Sequence, residues 1–473
     1  MSRPLAFLLL AAGTPALGYA PKLTFGRTAA HAANGLDAEP KKSVLTRALG
    51  QSPEASPEAI GVDGTVYMWM GKYLTAFRAN GTIEWTFSPR GITYGRSFPA
   101  LSADGAIVYV GGYGSNNEGF YAINAASGEQ KWALANGTEW TPALSADGAT
   151  LYIGSGGVTG GLCAVDAASG NKKWVIFELN VVHSPVLSPD GETVYVETLY
   201  SSLTAIDAAR GEKKWVLATV GSETFLSPAF SPDSATLYIG SYNSHVGSYS
   251  THVGPSDKPG SLYAVNTTSG EKKWVFAWRG QDYARGASLP VISADGATVY
   301  VDSWDGNLYA IDAARGKKKW AFASGGGDGF RSSPVLSSNG ETLYVTSHAS
   351  SLYAVHAASG KKKWAFATGG EDDSSPTLSA DDATLYTACV KGGMGFGSLC
   401  AVDAASGKKK WVFDTGDPKS YPSMPFYHSP ALSLDGATVY VGDTSLYAVD
   451  AASGAIQWNC SRKVEYGPDR PCL

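Results

Sequence analysis

No apolar stretch of this 473-residue chain is long enough to cross a bilayer; the run near the start, Leu5 to Ala12, falls well short. Charge is scarce, with Asp, Glu, Lys and Arg making up 17% of residues, too little for a disordered or coiled-coil chain. The formal charge is −5 and the lysines are spread along the whole length, so no basic face is gathered for nucleic acid. The five cysteines show no zinc-like spacing, and no metal site is assigned. No Ser/His/Asp set and no pair of carboxylates stands out from the turn-forming aspartates, so no catalytic residue is assigned either.

Glycine and tryptophan, by contrast, recur with a period. Nine times a turn glycine is followed four residues later by a tryptophan: Gly81/Trp85, Gly128/Trp132, Gly170/Trp174, Gly211/Trp215, Gly270/Trp274, Gly316/Trp320, Gly360/Trp364, Gly407/Trp411 and Gly454/Trp458. Successive tryptophans lie 47, 42, 41, 59, 46, 44, 47 and 47 positions apart, a spacing expected of propeller blades or solenoid turns. Nine of the thirteen tryptophans are thereby assigned to architecture, leaving Trp69, Trp140, Trp278 and Trp304 for other roles.

Each unit reads as four short strands. The first opens on a Ser-Pro pair, as at Ser184-Pro185 and Ser333-Pro334, where proline is tolerated because it stands at the strand start. Asp-Gly or Asn-Gly turns such as Asp295-Gly296 and Asn339-Gly340 follow and signal a hairpin. The second strand is β-branched and aromatic, as in Thr342-Leu343-Tyr344-Val345. In the third, Leu352, Ala354 and His356 alternate with Tyr353, Val355 and Ala357, so both faces are apolar near the centre and the strand is expected between neighbouring sheets. The Asp that closes it (Asp166, Asp207, Asp312, Asp403, Asp450) folds onto the next turn, and the outer strand carries the Trp. The fold class is therefore all-β, a β-propeller of four-stranded antiparallel blades. Nine repeats are counted, but the first has a shortened turn, Arg78-Ala79-Asn80-Gly81, and so either completes a nine-bladed ring or stands outside an eight-bladed one.

The unit resembles the pyrroloquinoline quinone (PQQ) repeat, A-x-D-x-x-[ST]-G-x-x-x-W, which Ala164 to Trp174 and Ala401 to Trp411 match at every fixed position. The resemblance covers residues 56 to about 460 and implies that the nine repeat tryptophans dock between blades. Two branches of that family differ in function. Quinoprotein dehydrogenases hold PQQ over Ca²⁺ with Glu, Asn and Asp ligands, and many carry an adjacent Cys-Cys disulfide. The non-catalytic branch, typified by the lipoprotein subunit of the outer-membrane assembly machine, acts as an interaction scaffold. This chain has no Cys-Cys pair, no Cys-x-x-Cys-His haem motif and trimmed blades, so it is similar to the second branch, although it lacks that branch's lipobox cysteine. No cofactor is expected, and PQQ with Ca²⁺ belongs to the alternative reading as a dehydrogenase.

The domain plan is a signal peptide over residues 1–20, a leader or transit-like linker over 21–55, the propeller over 56–460 and a tail over 461–473. Arg3 followed by an apolar run and small residues reads as a secretory signal, with an extracellular or periplasm-like destination. No acid precedes Asp37, and Gly18-Tyr19-Ala20-Pro21 is similar to the junction of two-step plastid targeting, the alternative destination. Cys163 and Cys400, standing where other repeats have Tyr, are expected as small buried hydrophobes. Cys460 and Cys472 bracket the tail and would clip it in an oxidising compartment, leaving Cys389 free. The Lys-Lys-Lys runs before Trp320, Trp364 and Trp411 are expected to protect an exposed sheet edge from pairing with another chain.

In a propeller the connections from outer strand to next blade, and from second to third strand, share the face around the channel mouth. Here the repeats stop agreeing. The candidate binding residues at this mouth are Arg96, Trp140, His183, Trp278, Arg285, Phe330, Arg331, Tyr427 and His428. Aromatics with arginines make recognition surfaces, and the arginines suit a carboxylate or phosphate. The expected function is a monomeric, non-catalytic scaffold that holds a protein segment or an anionic ligand at the mouth. A glycan-binding propeller, the remaining alternative, would repeat one aromatic pocket per blade, which this irregular mouth does not.

Overall fold

The structure, a computed structural model, describes residues 59–461 apart from connecting stretches, the longer ones being 114–118, 155–159, 244–259, 279–287, 391–396 and 415–428. Nine antiparallel sheets follow one another along the chain, spanning 59–87, 94–135, 143–176, 186–218, 223–277, 291–323, 335–367, 377–414 and 431–461. We number them blades 1 to 9. Blade 6 is representative, with strands Val291–Ile292, Thr298–Asp302, Asn307–Asp312 and Lys318–Ala323 hydrogen-bonded in that order. Blades 2 and 5 add a short strand, Tyr94–Gly95 and Glu223–Phe225, that pairs with the far end of the second strand.

The first hairpin is held by a Ser-x-Asp box. In blade 6 the Ser293 hydroxyl donates to Asp295 at 2.6 Å, while the same oxygen accepts from Thr298 N at 2.9 Å and Asp295 accepts from Ala297 N at 2.9 Å. The expected role of the third-strand Asp also holds: Asp403 accepts from the Ser406 N–H at 2.8 Å and from its hydroxyl at 2.6 Å. Third-strand residues are covered on both faces, with Leu352, Ala354 and Val355 all fully buried.

Blades are joined by the repeat tryptophans. Each Nε1–H donates to a carbonyl at the start of the next blade's last turn, as Trp320 does to Ala357 at 3.0 Å, and the ring lies over the next turn glycine. The second-strand tyrosine of the same blade reaches that carbonyl as well, Tyr300 to Ala357 at 3.3 Å. Trp85, Trp132, Trp174, Trp215, Trp274, Trp364 and Trp411 make the same bond. The blade count is decided at the join: Trp458 of blade 9 donates to Ala79 of blade 1 at 2.8 Å and stacks on Phe77 with centroids 6.0 Å apart. The divergent first repeat therefore closes a nine-bladed ring.

A second link joins some neighbouring blades. At four joins among the described residues, the hydroxyl of the residue before a strand-opening proline accepts from the backbone N–H of the equivalent residue in the preceding blade: Phe98 N to Thr141 at 3.1 Å, Thr141 N to Ser184 at 3.2 Å, Ser333 N to Ser375 and Ser375 N to Ser429, both at 2.9 Å. The serine of the Ser-Pro pair thus links blades, a role not visible in the turn chemistry of one repeat.

Two expectations are corrected. In all nine blades the pairing of third and outer strands slips by one residue immediately before the Trp, so the residue there is bulged, a lysine in seven blades, Glu84 in blade 1 and Gln457 in blade 9. The bulge turns that lysine inward across the sheet: Lys319 Nζ donates to Thr298 Oγ1 at 2.6 Å and to Ala297 O at 2.9 Å, and Lys173, Lys214, Lys273 and Lys410 do the same in their blades. It is a strut, while its exposed neighbour, such as Lys318, remains at the edge. Cys389 and Cys400, expected to be free and a simple hydrophobe, form a disulfide between the second and third strands of blade 8, Cα atoms 5.9 Å apart. The register places Cys400 opposite Thr387 and Cys389 opposite Ser398, a diagonal pair on one sheet face. Cys163 is free, with burial pushing its thiol up to about 11. Cys460 is disulfide-bonded; Cys472 lies outside the described residues.

Candidate functional site

At the mouth end of the blades in which both are described, two positions face each other across the first hairpin. One lies two residues before the strand-opening proline, the other two residues after the second-strand tyrosine. In blade 7 they are Ser332 and Thr346, the hydroxyl donating to the carbonyl at 2.9 Å and accepting from the N–H at 3.0 Å. Ser97 and Gly111 do likewise in blade 2. In blade 4 the pair is His183 and Glu197. The His183 Nδ1 bonds the Glu197 carboxylate, the two side chains being 15% and 6% exposed, so the acid is withdrawn from solvent while the imidazole reaches it.

Trp140, at the equivalent position of blade 3, meets the His183 ring edge-on with centroids 5.5 Å apart. Gly154 beside it makes room for Val181: a Cβ there would lie 2.9 Å from Val181 Cγ1, and at an ordinary 3.8 Å from Trp140 Cδ1. Val181 in turn bridges to Thr198 just beyond Glu197, fixing the strand that carries the acid. A tryptophan, an imidazole and a buried carboxylate are thereby held together at the seam of blades 3 and 4. The carboxylate orients the imidazole, and the indole supplies a flat apolar contact.

The other predicted mouth residues fare differently. Trp278 is 2% exposed and stacks on Tyr309 in the seam between blades 5 and 6, at 6.4 Å and an interplanar angle of 20°. Phe330 is fully buried against Phe322 and Tyr353, with its N–H on Ser303 O. Both rings form seam core in this structure and present no surface to a partner. Arg96, Arg285, Arg331, Tyr427 and His428 lie outside the described residues. Trp69, left without a role by the repeat, is also buried and donates to Ser97 O at 3.0 Å.

Sequence reasoning missed Glu197 and Asp302. Aligning the residue two after the second-strand tyrosine would have found them: it is Gly111, Gly154, Gly240, Thr346, Ala388 or Gly442 in six blades and an acid only in blades 4 and 6. Asp302 is fully buried, and neither carboxylate oxygen has a hydrogen-bond partner. Burial pushes its carboxyl up to about 8, against a smaller opposing pull from the nearby Ser288 hydroxyl. Among the described residues no three His, Cys, Asp or Glu side chains converge on a point that would hold a metal ion.

A ring of nine four-stranded blades, docked by the tryptophan of an A-x-D-x-x-[ST]-G-x-x-x-W repeat, defines a PQQ-repeat propeller. The chain belongs to the family described as outer membrane protein assembly factor BamB, whose profile matches residues 37–176, 116–254, 248–329 and 305–464. No curated protein matches the chain. Among solved structures, the crystal structure of BamB from Moraxella catarrhalis is similar at 15% identity, over 76% of this chain and 94% of that one, with a TM-score of 0.48.

Proposed function

We propose that this chain is a non-catalytic scaffold that presents the mouth of its propeller to a protein segment, with Trp140, His183 and Glu197 at the contact. The observation that carries the reading is this cluster: an imidazole braced by a buried acid beside an indole. Such aromatic anchors supply much of the energy of protein recognition. The family description, an assembly factor, supports a protein partner. An anionic ligand depends on Arg96, Arg285 and Arg331 and remains the second form of the reading.

The test is affinity capture from the native compartment, followed by calorimetry with the purified partner. Trp140→Ala with His183→Ala is expected to weaken that partner's binding at least tenfold, with the circular dichroism spectrum unchanged. Equal binding by the variant would remove this site from the function. No quinone or Ca²⁺ enters this reading: Glu197 is engaged by His183, and Asp302 stands two blades away. Titration with PQQ and Ca²⁺ is expected to give no saturable change in tryptophan fluorescence, and a saturable one would revive the dehydrogenase alternative.

Two disulfide-bonded sites, Cys389–Cys400 and Cys460, support delivery through a secretory route to an oxidising compartment. Extracellular or periplasm-like space is the destination proposed, with two-step plastid delivery as the alternative. Among the described residues no helix is long and apolar enough to cross a membrane. We propose a monomer without nucleic-acid partners.

A further inference from the structure

We propose that Asn80 is the acceptor of an N-linked glycan, on the face of the ring opposite the mouth. Four Asn-x-Ser/Thr triplets occur in the chain, at Asn80, Asn136, Asn266 and Asn459, each with a middle residue other than proline. A triplet of this kind marks a surface acceptor only where the folded chain leaves the asparagine amide free, and the structure separates those it describes.

Asn80 stands at the tip of the turn between Tyr73–Phe77 and Ile83–Phe87, the third and outer strands of blade 1, with Asn80 and Thr82 both exposed. Its Oδ1 accepts from the Thr82 N–H at 3.1 Å and the Thr82 hydroxyl at 2.8 Å, while its Nδ2 bonds to no partner among the described residues. Glycosylation would therefore leave the turn's own bonds intact. In seven of the other blades an Asp or Asn lies four residues before the glycine, and in blade 7 His356 does; the shortened first turn moves Asn80 next to Gly81 and out to the tip. The divergence of the first repeat, which ring closure did not require, is what creates an exposed acceptor.

The other triplets are less open. Asn266 is half-buried, its Oδ1 accepts from two backbone N–H groups of its turn, and the next residue's carbonyl holds Trp215 of the preceding blade. Asn459 is half-buried within the outer strand of blade 9 and directly precedes the disulfide-bonded Cys460. Asn136 lies outside the described residues.

The modification transfers an oligosaccharide from a polyprenyl-diphosphate donor. One Nδ2–H bond is replaced by a bond to sugar C1, the C1–O bond to the diphosphate breaks with its electron pair, and the proton is lost to solvent. Turns between third and outer strands and the mouth connections lie at opposite ends of the strands, so a glycan on Asn80 would shield the closing seam of blades 1 and 9 and leave Trp140 and His183 bare.

The inference rests on the proposed secretory delivery, and the test keeps the two apart. The full chain is purified from its source with free thiols blocked before digestion, and its peptides are read by glycopeptide mass spectrometry. The Asn80 peptide is expected to carry N-acetylhexosamine; Asn80→Gln and Thr82→Ala are expected to abolish it, Thr82→Ser to retain it, and partner capture to be unchanged in all three. An unmodified Asn80 peptide from protein whose Cys389–Cys400 bond is intact would overturn the proposal while delivery stands. An unmodified peptide together with reduced cysteines would overturn both.

Discussion

A methyl group at Gly360 would lie 2.7 Å from the Trp320 ring, on a backbone with φ of +69°. Two penalties coincide there, a left-handed conformation and a clash against a wedged indole. Gly360→Ala is expected to cost about 2–4 kcal/mol, read as a lower urea midpoint at unchanged slope. Asp302 shows the opposite economy, a carboxyl kept where nothing bonds it. Its folded value is raised to about 8, so the folded state holds its proton longer than the unfolded chain does. Its stabilising contribution is therefore full below about pH 4 and declines as pH rises towards 8. Asp302→Asn removes this dependence: the melting temperature of the variant relative to wild type is expected to climb between pH 5 and pH 8. A constant difference across that range would show that Asp302 ionises normally.

Within a blade, the bulge before each Trp converts an edge lysine into a brace between outer and second strands. The Thr298–Lys319 pair is a hydrogen bond at the sheet's rim, where water competes, so a modest effect follows. Thr298→Val and Lys319→Met are each expected to cost about 0.5–1.5 kcal/mol, with a double-mutant coupling of about 0.5 kcal/mol or more. Additive losses would mean the strut carries nothing. Five other blades repeat the Lys–Thr bond, but Gln457 replaces the lysine in blade 9, where Thr438 bonds the glutamine at 3.1 Å. The closing blade thus has the weaker brace.

At the scale of the whole ring, each described sheet is built from one continuous stretch of chain, and none of the described strands is exchanged between blade 1 and blade 9. Closure rests on side chains: Trp458 over Gly81, its Nε1 on Ala79 O, and its ring stacked on Phe77. Trp458→Ala and Trp320→Ala each remove one docking ring and are expected to cost about 3–5 kcal/mol. Only the first acts on a seam that no covalent connection bridges. Trp458→Ala is therefore expected to speed limited proteolysis in the first and last blades well before Trp320→Ala does so near its own seam. Equal rates would mean that closure is held elsewhere.

What the sequence by itself determined was local and repeated: the four-strand unit, the turn glycines, the capping aspartates, the docking tryptophans and the count of nine. These rest on contacts within one unit or on a motif that recurs, so period and turn chemistry reveal them. Tertiary structure alone decided the rest. Whether the first unit joins the ring depends on Trp458 reaching a carbonyl 379 residues away. The Cys389–Cys400 bond depends on a diagonal register that spacing does not specify. Of the mouth residues, Trp140 and His183 were legible as departures from the repeat, but so were Trp278 and Phe330, which turn into the seams. Exposure at a mouth is set by how neighbouring blades pack, and Glu197 joins the site only because the pleat aims it at His183.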